Sequence, residues 1–215
     1  MAIRVFLLDD HQIVRRGVRE LLESDRELQV VGEGGTAAAA RRLLPGLCPD
    51  VAVLDVRLPD GSGIEVCREL RSTCPGSRAL LLTSVDDEEA LAAAVLAGAS
   101  GYLLKGIRAI GLNEAVHAVA SGAGLLPPGR VQRLQRAWTD PFPQDRALAR
   151  LTPAERSVLE HVAHGRTNAQ VAERLSLAEQ EVRAHVSAIL ARLGLAAARA
   201  TVGGDARARG PGAGT

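Results

Sequence analysis

Five short apolar segments, Ile3–Leu8, Leu28–Val31, Val51–Leu54, Ala79–Leu82 and Gly101–Leu104, recur through the first half of the chain. Between them lie longer stretches with helical spacing, near 12–23, 36–44, 63–72, 87–97 and 109–120. The segments are apolar on both faces, as strands of a parallel sheet covered by helices must be. Gly and Pro mark the joins at Pro45-Gly46, Pro59, Gly61, Gly63, Pro75-Gly76 and Gly98. Five such βα units predict a doubly wound α/β domain with a five-stranded parallel sheet. Ligands of such sheets sit beyond the carboxyl ends of the strands.

Composition narrows the class further. With 47% apolar and 24% charged residues, the 215-residue chain is not wholly disordered. Aromatic residues make up only 2%, so the core is aliphatic. No apolar run approaches the length of a membrane span, and the start, MAIRVFLLDDH, turns acidic too early for a signal peptide. Cys48, Cys67 and Cys74 are odd in number and lack CxxC spacing. They are expected to be reduced thiols in the cytoplasm rather than a structural zinc site.

The strand ends carry the chemistry. The first strand runs into Asp9-Asp10, the third ends at Asp55, the fourth at Thr83 followed by Ser84, and the fifth at Lys105. A parallel sheet brings these ends to one edge, where three carboxylates repel one another unless a hard cation sits among them. An oxygen-rich, partly hydrated site of that kind suits Mg²⁺. A hydroxyl and an ammonium beside it suit the oxygens of a phosphoryl group. Lys105 is the only lysine among 26 basic residues, the other 25 being arginine. A compact ammonium fits where a planar guanidinium is too large.

LLDDH, VLDVRLPDGSG, LLLTS and GYLLK stand in the order and spacing of the receiver domain of bacterial two-component response regulators, which residues 3–121 resemble. The resemblance implies a flavodoxin-like fold and Asp55 as the phosphoacceptor, loaded by a sensor histidine kinase. It also implies Asp10 and Asp55 as direct Mg²⁺ ligands, the Arg57 carbonyl as a third, and Asp9 acting through water. Thr83 and Ser84 become switch hydroxyls, Lys105 the phosphate-pairing lysine and Tyr102 the rotating aromatic. Gly106 departs from the acidic residue or proline expected after the fifth strand.

Charge divides the chain. Residues 1–122 hold 13 basic and 17 acidic side chains, a net of −4, and residues 123–215 hold 13 and 8, a net of +5. A basic half joined to an acidic one suggests a second domain that faces a polyanion. Residues 123–149 are read as a linker. Pro127-Pro128 and Pro141-Phe142-Pro143 break helices there, and Val131, Leu134 and Trp138 mark one short amphipathic helix free to dock on either domain or on a partner subunit.

Residues 150–200 read as all-α. Thr152-Pro153-Ala154-Glu155 is a capping box with proline at the first helical position. That helix ends at His164-Gly165, Thr167 caps a second to Leu175, and a third spans Ala178–Leu193. Two short helices and a tight turn before a longer one match a helix-turn-helix. The text LTPAERSVLEHVAHGRTNAQVAERLSLAEQEVRAHVSAILARLGL resembles the LuxR-type domain of NarL/FixJ-class regulators. On the third helix Val182, Val186, Ile189 and Leu193 form the core face. The resemblance places the opposite face in the major groove of promoter DNA. Gln180, Arg183, Ala184 and Ser187 are then base-side candidates, and Thr167, Asn168 and Arg192 phosphate contacts.

Three departures weaken the DNA reading: Ala178 lacks a capping hydroxyl, Glu181 places a carboxylate near the backbone, and Ala184 replaces a polar reader. After Leu195 the chain turns to small residues and Gly203-Gly204, so the expected last helix is short and residues 201–215 are a disordered tail. The expectation is therefore a phosphorylation-switched, DNA-binding homodimer. The alternative is an adaptor whose helix-turn-helix has lost DNA. An aspartyl-phosphate phosphatase is disfavoured, because Arg57 stands where such an enzyme needs a second acid.

Overall fold

A computed structural model describes residues 1–83, 88–105, 109–140 and 145–195. Ser84, Gly106, the Pro141–Pro143 break and the tail after Leu195 lie outside the described residues. The first half runs β1 (Ile3–Leu8), α1 (Gln12–Glu23), β2 (Leu28–Gly34), α2 (Ala37–Leu47), β3 (Val51–Asp55), a hairpin of the two-residue strands β4 (Arg57–Leu58) and β5 (Gly61–Ser62), and α3 (Gly63–Thr73). It continues with β6 (Arg78–Thr83), α4 (Glu88–Ala97), β7 (Gly101–Leu104) and α5 (Ala109–Ala120). The large sheet is parallel throughout, in the order β2-β1-β3-β6-β7. Every predicted strand is present.

Alternate strand residues bury on opposite faces. Val5, Leu7, Val51 and Val53 pack beneath α1 and α5, while Phe6, Leu8, Ala52 and Leu54 pack toward α2, α3 and α4. The chain leaves β1 outward to β2 and then crosses back to β3. The switch point, where such sheets open a crevice, therefore lies between β1 and β3.

One proline behaves otherwise than expected and another marks a helix start. Pro45 does not end α2, which continues to Leu47 and closes on Cys48 with left-handed φ of 36°. Pro128 starts α6 (Pro128–Thr139) rather than breaking it, because a first-turn residue needs no N–H partner. The expectation of three free thiols fails for two of them. Cys48 and Cys74, at the ends of α2 and α3, form a disulfide with Cα atoms 5.5 Å apart, and only Cys67 is free. Neither spacing nor parity reveals this, since the pair exists only because two helix ends meet.

Beyond the linker helix come α7 (Arg146–Ala149), α8 (Pro153–Ala163), α9 (Asn168–Leu175) and α10 (Glu179–Arg192). Thr152 and Glu155 exchange both capping bonds, 3.2 and 2.7 Å. Glu181 proves to be a capping group as well: its carboxylate accepts from the Ala178 backbone N–H at 2.7 Å, which offsets the missing hydroxyl of Ala178.

The second domain is not separate in packing. One apolar cluster runs from Phe6, Leu54 and Leu81 through α4 to Trp138, Val158, Leu159, Val171 and Val186. After the exposed Glu88 and Glu89, helix α4 is apolar on all sides, and Ala90 through Ala97 are all buried, because α3, α6 and α8 pack around it. Trp138 settles the docking of α6: it is 5% exposed, and the helix lies on α4 and α8, with Gln135 donating to the Ala163 carbonyl at 2.7 Å. Trp138→Ala should therefore lower stability by about 3–5 kcal/mol, a cost that an exposed linker residue would not incur. Urea unfolding of the full chain measures it.

Candidate functional site

The strand register assembles the crevice. Asp55 pairs opposite Leu82 and Thr83 opposite Leu104, so the residues that follow β1, β3, β6 and β7 converge on one edge. Asp9 is fully buried and Asp55 is 3% exposed. Lys105 Nζ lies 2.9 Å from Asp9 Oδ2 and 2.6 Å from Asp55 Oδ2, one ammonium shared by two carboxylates. Burial pushes the Asp55 carboxyl up, and the bonds from Lys105 and from the Arg57 N–H offset this only in part. Burial also opposes the charge on Lys105, but Asp55 and Asp9 outweigh it and hold the ammonium above the ordinary lysine range.

Asp10 lies outward, exposed, 2.6 Å from His11 Nδ1. Carboxylate and imidazole atoms of Asp9, Asp10, His11 and Asp55 fall within 4.8 Å of one another. Asp9 Oδ2, although buried, has the Lys105 ammonium at 2.9 Å as its one polar neighbour among the described residues. A buried carboxylate oxygen in that condition beside two further carboxylates fits a hard cation. The acidic pocket is thus of the kind that receivers use for Mg²⁺. Thr83 is buried at the same edge and Tyr102 half-buried on β7.

The loop after Asp55 is held from both sides. The Asp60 carboxylate accepts from the first N–H groups of α2, Ala37 at 2.7 Å and Ala38 at 2.9 Å, and Ser62 caps α3. Gly63 passes so close that an added Cβ would lie 2.0 Å from the Asp55 carbonyl oxygen. Sequence reading marked Gly63 only as a joint; the close approach belongs to the fold.

In the second domain the seven DNA candidates divide. Gln180, Arg183 and Ala184 line a groove of about 340 Å³ whose far wall is Arg41, Glu65 and Glu69 of the receiver. Ser187 donates its hydroxyl to Glu65. Asn168 is buried, its Oδ1 accepting from Arg68 Nε at 2.8 Å. Thr167 exchanges capping bonds with Gln170, and Arg192 bonds Glu155 at 3.0 Å. The candidate reading face of α10 looks at the receiver.

Three receiver residues that sequence reading passed over make this contact. Arg68 is 2% exposed and donates to Asn168, to the Leu96 carbonyl at 2.7 Å and to the Arg166 carbonyl at 3.1 Å. Arg71, one turn on, donates to the Gly165 carbonyl at 3.1 Å, and Glu65 takes Ser187. Burial lowers the Arg68 guanidinium to about 10, and no carboxylate pairs with it among the described residues. One arginine among 25 gives no signal of this. The uninterrupted apolar run ALAAAVLA that follows Glu88 and Glu89 in α4 does signal a helix covered on every side from Ala90 onward.

Residues 5–117 match the family model of the response regulator receiver domain, and residues 149–202 match bacterial regulatory proteins of the luxR family. The chain belongs to the DNA-binding response regulators. It is 47% identical over 193 residues to the DNA-binding transcriptional activator DevR/DosR of Mycobacterium tuberculosis, covering 90% of this chain and 89% of that one. Among solved structures, the response regulator ChrA of a heme-sensing two-component system is 34% identical, covers 90% of each chain and gives a TM-score of 0.51. The response regulator RcsB in complex with DNA is 25% identical, covers 90% of this chain and 93% of that one, and gives 0.55.

The regulator is thus a transcription regulator with a receiver and a LuxR-type helix-turn-helix, and the adaptor alternative is not favoured. Among the described residues no helix is long and apolar enough to cross a membrane. Gly63→Ala should disturb the pocket without touching a charged group. The new methyl forces the Asp55 carbonyl aside, with a loss of about 1–3 kcal/mol from overpacking. Thermal unfolding reads the loss, and phosphate uptake from acetyl phosphate should fall with it.

Proposed function

We infer that Asp55 accepts a phosphoryl group from a sensor histidine kinase and that the described arrangement is the resting state, with the recognition helix turned onto the receiver. The observation that carries this reading is the contact of α10 and of the start of α9 with α3 through Glu65, Arg68 and Arg71. The groove facing Gln180, Arg183 and Ala184 is far too small for a duplex, so DNA binding requires the domains to part. The proposed domain limits are receiver 1–122, linker 123–149 and helix-turn-helix 150–200.

Mg²⁺ would be held by Asp10, Asp55 and the Arg57 carbonyl, with Asp9 through water, and would neutralise the incoming phosphoryl oxygens. Asp55 supplies the attacking carboxylate oxygen and becomes an acyl phosphate as the N–P bond of the kinase's phosphohistidine breaks and the imidazole leaves. Lys105, already beside it, turns its ammonium to the new oxygens, and Thr83 and Ser84 offer hydroxyls. Ile13, 88% exposed on α1, stands with Val14 at the rim of this edge and gives the kinase an apolar foothold.

Once the domains part, Gln180, Arg183, Ala184 and Ser187 face base edges, and Thr167, Asn168 and Arg192 face phosphates. One such face carries little positive charge, so useful affinity takes two chains on half-sites about one helical turn apart. A homodimer in the cytoplasm, where kinase, phosphate donor and promoter meet, completes the reading.

Two expectations test it. Acetyl phosphate with Mg²⁺ should add one phosphate to the wild type and none to Asp55→Asn, as intact-mass measurement will show; uptake by the variant would move the phosphoacceptor elsewhere. Arg68→Ala should raise the affinity of the unphosphorylated chain for a mixed-sequence duplex at low salt. Hydrogen bonds from a charged donor contribute about 1.5–3 kcal/mol, so a gain of about tenfold is expected. Unchanged affinity would remove Arg68 from the closed contact.

A further inference from the structure

The disulfide partners differ in access. Cys48 is exposed at the end of α2, whereas Cys74, at the end of α3, is 4% exposed. Cys48 sits in a left-handed conformation, φ 36°, at a helix end that ordinarily favours glycine. The side chain is thus kept at a position where a Cβ is disfavoured, and there its sulfur meets Cys74. Cys67, the third cysteine, is fully buried and its thiol is pushed up to about 12, so it does not compete for the pairing.

The bond closes the segment from residue 48 to residue 74, which contains Asp55 and all of α3. Helix α3 carries Glu65, Arg68 and Arg71, the groups that hold the second domain. Arg41 of α2 already braces its upper turns through Glu69 at 2.9 Å and Glu65 at 3.5 Å. The disulfide braces the lower end, so α2 and α3 form one rigid wall against α10.

We propose that Cys48 and Cys74 form a reversible redox site whose oxidised form holds α3 in position to keep the second domain closed. The oxidant is a low-molecular-weight disulfide. The Cys48 thiolate attacks one of its sulfurs and expels one thiolate, leaving a mixed disulfide on Cys48. The Cys74 thiolate then attacks Cys48 Sγ and expels the second. Two protein thiols and one small disulfide become one protein disulfide and two small thiols, and an excess of small thiol runs the exchange backward through exposed Cys48. Disulfides of this transient, regulatory kind are the ones found in reducing compartments.

This inference rests on the closed-state reading, and one experiment separates their failures. Trp138 is the only tryptophan and lies buried where α6 meets α4 and α8, so acrylamide quenching of its fluorescence reports opening. The full chain is equilibrated with glutathione disulfide or with dithiothreitol, and disulfides are mapped on unreduced peptides. A Cys48–Cys74 link should form in the first and vanish in the second. Quenching should be about twofold or more stronger in the reduced protein. Cys48→Ser should behave as reduced under both conditions, while Arg68→Ala and Asn168→Ala should be strongly quenched under both. Failure of glutathione disulfide to form the link overturns the proposal. A link that forms with equal quenching in both states, while Arg68→Ala still opens, overturns the coupling and leaves the closed-state reading intact. If neither Arg68→Ala nor Asn168→Ala raises quenching, the closed-state reading falls and takes the coupling with it.

Discussion

At the carboxyl edge of the sheet, the buried carboxylates of Asp9 and Asp55 share the single ammonium of Lys105. Two like charges at that depth cannot both ionise without a cation between them, and removing one member of such a group leaves the others uncompensated. The parallel register makes the arrangement unavoidable, because β1 and β3 are adjacent and the chain reverses its winding between them. Any charge added at Asp55 therefore acts first on Lys105, just past β7, and on Thr83, whose carbonyl accepts from the Lys105 backbone N–H at 2.8 Å. Helix α4, the next described element after β6, is buried from Ala90 to Ala97 beneath the second domain.

The junction itself combines apolar continuity with a conditional polar contact. The shared cluster through α4, Trp138 and α8 brings the domains together without specifying which face of α10 is covered. Arg68, Arg71 and Glu65 specify it, since they meet particular carbonyls, an amide and a hydroxyl at the start of α9 and on α10. Arg68 is charged, buried and unpaired with any described carboxylate, so water can replace its acceptors on the second domain when the domains separate. A contact of that kind closes the molecule without making closure obligatory, as a regulator requires.

Much of this architecture was legible beforehand. The five strands could be read because strands buried on both faces leave continuous apolar runs, and Asp9, Asp10, Asp55, Thr83 and Lys105 because strand ends share an edge in any parallel sheet. The Thr152 and Thr167 caps were legible because capping is local. Pro45 was misread as the end of α2, which continues to Leu47, because proline disrupts only when an N–H or an upstream carbonyl is needed, and helix position decides that. Glu181 was read against phosphate although its carboxylate is occupied by the Ala178 N–H.

By itself the sequence determined the sheet, its acidic edge, the lone lysine and the helix-turn-helix, since each follows from periodicity, capping or residue type within one unit. Only the tertiary structure decided that Cys48 meets Cys74, that Gly63 crosses the Asp55 carbonyl, and that Arg68 reaches Asn168 a hundred residues away. Those pairings depend on where separate helices come to rest. Periodicity states which face of a helix is buried, but not what buries it.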